Sequence, residues 1–299
     1  MMNLKLGLHL GYASTRYYEP KIWTEMVRNE FGLNYVQFTS NLLEPTLPNH
    51  IISDEIDKIK FFSKKYNIKI DHTFTSPRNN FFGHSNKKIR IYWSEWLRKF
   101  LWISKQLGAE GAGSLLGVMS FNDVNKNFKK REKDILDGWT KLSVYAKKIG
   151  LKYLLWEPMS IKRELGDTIK YTKYLHKKLN INSQLPILLN LDVDHGNHFS
   201  KDKRDGNPYE WLNELSHLSP SIHIKQKTKD IYTHKPFIKK YNKTGIIKPD
   251  KILKSLEKSN CKNTTLYFEF SFREREPFDS QSIKDIKESV KLWRQYVKR

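Results

Sequence analysis

Eight short apolar runs punctuate the chain, and each is followed by a loop and then a stretch in which apolar residues recur every three or four positions. The runs are residues 4–11, 35–40, 68–76, 109–117, 151–158, 186–192, 221–226 and 265–271. Short, apolar-rich segments of this kind read as buried strands, and the longer periodic segments as amphipathic helices. The fourth run, AEGAGSLLG, is rich in Gly and Ala and has the weakest strand pattern. Helix ends are marked by chemistry. Pro20 opens one helix and Gly32 closes it, Gly108 and Gly150 close two more, and Ser53 reads as the N-cap of SDEIDKIKFFSKKYN. Strand–helix alternation predicts a parallel sheet covered by helices. Eight repeats in 299 residues predict an α/β fold of the (β/α)8 TIM-barrel type, a single domain over residues 1–299. No Gly-x-Gly-x-x-Gly follows the first run and no Gly-x-x-x-x-Gly-Lys occurs, which removes the main support for a doubly wound nucleotide-binding sheet.

Composition narrows the picture little. The formal net charge of +22 favours anionic partners, either phosphorylated small molecules or nucleic acid. The lysines, however, are scattered over helix faces and form no tail or stripe, so they read as a solvated surface and nucleic acid is not the expected partner. The single cysteine, Cys261, excludes an internal disulfide framework and sits in a turn-like stretch that gives it no catalytic signature. No run approaches the ~20 apolar residues of a membrane span, and the N-terminal stretch lacks a signal-peptide pattern. The expected setting is cytoplasmic, without membrane partners, and a homo-oligomer is left open. Two long loops, residues 118–130 and 226–248, follow runs four and seven and are expected at the C-terminal face of the barrel, where either could serve as a lid.

The chemistry concentrates at the ends of the last four runs: Glu157 in LLWEP, Asp192 and His195 in LDVDH, His223 in SIHIK and Glu269 in YFEFS. In a closed barrel these ends share one mouth. Three carboxylates and an imidazole converging there suit one divalent ion, Mn2+, Mg2+, Co2+ or Zn2+, and without a cation they would repel one another. A strand-end Glu alone is usually a salt-bridge partner. The signal is the order Glu, Asp-x-x-His, His, Glu on four consecutive strands.

That order resembles the xylose isomerase-like barrel superfamily of sugar isomerases and epimerases. The resemblance implies Glu157, Asp192, His223 and Glu269 as metal ligands and His195 as a substrate-facing neighbour. Asp194 departs from the small residue usual there and could orient His195. The stretches LLWEPMSIKRE, LDVDHGN, NPYEWLNELS, SIHIKQ and THKPF further resemble the tetrulose-phosphate epimerases, of the D-erythrulose 1-phosphate 3-epimerase type, from about residue 30 to the C-terminus. The seventh strand departs from that pattern, with Lys225 and Lys227 where neutral residues are expected, so the substrate stays open.

The resemblance implies a sugar or sugar phosphate as partner and Glu157 and Glu269 as the acid/base pair, one removing a proton beside the carbonyl and the other returning one to the opposite face. The same residues would serve aldose–ketose isomerisation. Substrate contacts are expected from His72 at the third strand end, Arg163, Lys225, Gln226 and His234, the cationic ones as phosphate donors with Lys227 beside them. Two rivals stand. A three-zinc AP endonuclease would need extra His ligands, for which the fourth run offers none and for which Asp230 and His234 have the wrong spacing. A non-catalytic sugar-binding barrel is opposed by the intact glutamate pair.

Overall fold

In the computed structural model of the chain, which describes residues 2–77, 79–228 and 234–297, each of the eight apolar runs coincides with a strand, wholly or over most of its length. They are β1 Asn3–His9, β2 Tyr35–Phe38, β3 Lys69–Thr75, β4 Gly111–Leu115, β5 Tyr153–Glu157, β6 Ile187–Asp192, β7 Ser221–Ile224 and β8 Asn263–Phe268. Each pairs in parallel with the next, and β1 pairs with β8, so the sheet closes into an eight-stranded barrel. The Gly- and Ala-rich fourth run does form a strand. Its small residues are required, because a Cβ on Gly111 would lie 2.0 Å from the Tyr153 ring. Gly7 likewise makes room for the ring of Tyr267.

Helices cover the outside. Lys87–Gln106 buries Trp96, Leu97, Phe100 and Leu101, and Asn49–Lys65 buries Ile52, Ile56 and Ile59. Each such side chain contributes roughly 1.5–3 kcal/mol of burial free energy. The second helix starts earlier than expected. Ser53 is an exposed residue inside it, and Pro48 precedes its first turn. The apolar stripe at Ile52 had one more turn to carry, and that stripe outweighs a favourable cap residue.

Both long loops carry secondary structure among their described residues. Residues 118–130 hold the helix Phe121–Lys126 and the start of Phe128–Lys148. In residues 226–248, Gln226 bridges antiparallel to Lys235 and a short helix spans Lys239–Asn242. Among the described residues no helix is long and apolar enough to cross a membrane.

Candidate active site

Parallel pairing with a two-residue side-chain period builds the site. Asp192 is the register partner of His223, and His223 that of Tyr267. Two residues further along β7 and β8, on the same inward face, stand Lys225 and Glu269. Glu157 ends β5 on the other side of Asp192. The outcome is a buried cluster. His223 Nδ1 lies 2.9 Å from Glu157 Oε1, 3.4 Å from Glu269 Oε2 and 3.9 Å from Asp192 Oδ2. The Lys225 ammonium bonds Asp192 Oδ2 at 2.5 Å and also Glu269 Oε2.

A layer of neutral polar residues supports the cluster from beneath. His223 Nε2–H donates to Gln37 Oε1 at 2.6 Å, which turns Nδ1 towards the carboxylates. The Gln37 amide is itself oriented by donating to Asn190 Oδ1 (3.1 Å) and Ser221 Oγ (2.9 Å). Asn190 in turn donates to Glu157 Oε1 at 3.1 Å. Such partners fix ring orientation and tautomer. His9, at the end of β1, stacks edge-on against His223 and accepts from the Gly11 N–H. Burial pushes it down to about 4, so it is neutral.

Burial opposes the charges on Asp192, His223, Lys225 and Glu269, but the neighbours prevail. His195 and Lys225 hold Asp192 below the usual carboxylate range, and His223 and Lys225 hold Glu269 well below it. Against the same desolvation, Asp192 and Glu269 hold Lys225 above an ordinary lysine. Glu269 and Glu157 likewise raise His223.

A cavity of about 510 Å3 opens above the cluster, lined by Glu157, Glu269, His195, His234, Arg163 and Asn80 among others. Of the expected substrate contacts, His195, Arg163 and His234 therefore reach it. His195 lies with Nδ1 3.0 Å from Pro158 O and Nε2 3.5 Å from Asp192 Oδ2. Three expectations are corrected. His72 is not at a strand end, because β3 runs three residues further. It is buried inside the barrel between Tyr153 and Tyr267, 2.8 Å from each hydroxyl. Gln226, one position out of phase with Lys225, turns away from the barrel interior and ties down its own loop through Asn242 and Ile247. Lys225 is fully buried in the carboxylate cluster and is no rim donor for phosphate.

Asp194 does not orient His195. It pairs with Lys227 and His234, each at 3.2 Å, and these bring it down to about 2 despite its burial. Asp230, weighed as a nuclease ligand, lies outside the described residues. His72, committed to two tyrosines, supplies no ligand to a polynuclear metal cluster.

Groups that could hold a metal exist among the described residues, including Glu157, Asp192 and His223. By donor type and spacing, the expected ligands Glu157, Asp192, His223 and Glu269 suit a divalent ion. By charge they do not. Two of the four already grip the Lys225 ammonium, and an ion seated ~2.1 Å from those same oxygens would press against it. As arranged, the cluster does not fit a metal.

No protein-family model matches the chain. A curated relative, D-erythrulose 1-phosphate 3-epimerase of Brucella abortus, is 31% identical over 301 residues, covering 99% of this chain and 97% of the relative. Among solved structures, a Rhodospirillum rubrum protein provisionally described as a xylose isomerase superposes with a TM-score of 0.87 at 22% identity, covering 99% of this chain and all of that one. D-psicose 3-epimerase of Clostridium cellulolyticum, solved with D-tagatose, gives 0.68 at 14% identity over 98% of this chain and 91% of the other. These two share the xylose isomerase-like barrel fold.

Proposed function

The chain belongs to the D-erythrulose 1-phosphate 3-epimerase family and is an isomerase-class enzyme, and from that premise we propose that it inverts the asymmetric carbon beside the carbonyl of a short ketose phosphate such as erythrulose 1-phosphate. The observation that carries this reading is that Glu157 and Glu269, from β5 and β8, open into the same cavity while cationic side chains stand between them.

In erythrulose 1-phosphate the carbonyl is next to the only stereocentre, so that C–H is acidified. One glutamate, as carboxylate, takes the proton, and the C–H electron pair moves into an enediolate. The other glutamate, as carboxylic acid, delivers a proton to the opposite face, and the carbonyl re-forms. No electrons are gained or lost overall. Glu269, held ionised by His223 and Lys225 against its burial, is the base for one enantiomer. Because a carboxylate is a weak base for a C–H, positioning must supply much of the rate, and the layer of Gln37, Asn190 and Ser221 supplies it. Arg163 and His234 on the cavity wall suit a phosphate. Glu157, Asp192, His223 and Glu269 would all reach one divalent ion only if Lys225 withdrew, so no step is assigned to a metal.

A panel of ketose phosphates tests the reading. Erythrulose 1-phosphate is expected to be inverted, and free erythrulose to react with a kcat/KM lower by about 10²-fold for want of the phosphate contacts. Equal turnover of phosphorylated and free sugar, or inversion of none of them, would contradict it.

A further inference from the structure

We propose that Lys225 is the resident cation of this site, standing where a divalent ion would bridge Asp192 and Glu269, and that the enzyme works without a metal. The side chain is fully buried and its ammonium bonds both carboxylates, at 2.5 Å from Asp192 Oδ2 and in contact with Glu269 Oε2. Strand register leaves it little choice, because it stands two residues past His223, just beyond the end of β7, and the last register pair, Ile224 with Phe268, brings it level with Glu269 just beyond β8.

Each carboxylate already has a partner as it stands. Asp192 Oδ1 accepts from the Asp194 N–H at 2.8 Å while Oδ2 holds Lys225, and Glu157 Oε1 accepts from Asn190. Both oxygens of Asp192 are therefore engaged. Expelling Lys225 to admit an ion would break its buried pair with Asp192 and its half-buried pair with Glu269, a change that buried charges resist. Lys225 therefore acts as a positioning residue, fixing the Glu269 carboxylate and neutralising charge that would otherwise oppose formation of the enediolate.

The inference rests on the reading of Glu157 and Glu269 as the proton-transfer pair, but its main readout, a metal count, does not depend on which sugar is turned over. Native enzyme purified without added metal is analysed by mass spectrometry, titrated with Mn2+ in a calorimeter, and assayed with erythrulose 1-phosphate in EDTA. The expected results are far less than one ion per chain, no Mn2+ binding in the micromolar range, and activity in EDTA within about twofold of the untreated enzyme. In Lys225→Gln the ammonium is gone while the reach is nearly kept. Metal-free turnover should fall by about 10²-fold, and the variant should gain a site for Mn2+ with partial recovery of rate. Native enzyme that retains about one ion per chain and loses its activity to EDTA, regaining it with Mn2+, overturns the proposal. So does a folded Lys225→Gln protein that runs at the native rate without metal. If that variant does not fold, the native metal count decides the question alone.

Discussion

Two histidines buried in the same barrel illustrate how neighbours, and not burial, set chemistry. His72 and His223 both point inward and both are closed to solvent. His72 is bracketed by the hydroxyls of Tyr153 and Tyr267, and desolvation drives it down to about 3, so it is a neutral ring with one donor and one acceptor, each satisfied. His223 suffers the same desolvation, yet Glu269 and Glu157 raise it above an ordinary histidine. One imidazole is a strut in the interior; the other is part of a charged centre under a cavity. The boundary between the two regions is the layer of neutral amides and hydroxyls formed by Gln37, Asn190 and Ser221.

Substitutions should separate the regions. The largest effect is expected from Glu157→Gln and Glu269→Gln, each of which should lower sugar inversion by about 10³-fold or more while leaving the thermal midpoint within a few degrees, as read by steady-state rates and calorimetry. Next, Gln37→Leu should lower kcat by about 10–100-fold with little change in KM, because the His223 ring loses its orienting acceptor but the cavity wall is untouched. His72→Phe should do the reverse. It deprives a buried hydroxyl, on Tyr267, and a half-buried one, on Tyr153, of their imidazole partner, at a cost of about 1–3 kcal/mol in urea unfolding, and should leave kcat/KM within about threefold of native. If His72→Phe abolishes turnover at native stability, the division between strut and active centre is wrong.

The smallest effect is on pH dependence. The folded value of His72 lies below its unfolded value of ~6.5, so its contribution is complete above that pH. It is lost as pH falls from ~6.5 towards ~3, with a slope of at most ~1.4 kcal/mol per pH unit, and His72→Phe should flatten that limb. His223, raised in the fold, has the opposite sign. Its contribution is full below ~6.5 and is lost as pH rises through its folded value.

The strand-end constellation was legible because strand ends are punctuated by a change from apolar to charged residues, as in LLWEP and LNLDVDH. Gln226 was legible in principle too, since parity with His223 places it on the outer face. What sequence could not supply was register across strands. The meeting of Lys225 with Glu269 depends on β7 pairing His223 with Tyr267, and nothing in either segment announces that pairing. His72 was misjudged because β3 continues for three more residues, through Thr75, which leaves its side chain in the interior and not at the mouth. Gln37 and Asn190 were missed for a different reason: a neutral amide in YVQF or LLNLD looks incidental until its partners are visible. An amide within an otherwise apolar strand was the available signal.

The central claim is that two carboxylates exchange a proton at the carbon beside the carbonyl. Its most direct test is the native enzyme turning over erythrulose 1-phosphate in D2O, followed by NMR. Each inverted molecule is expected to carry solvent deuterium at that carbon, and both Glu157→Gln and Glu269→Gln are expected to lose this incorporation. Inversion with the original hydrogen fully retained, or undiminished deuterium uptake in both variants, would contradict it.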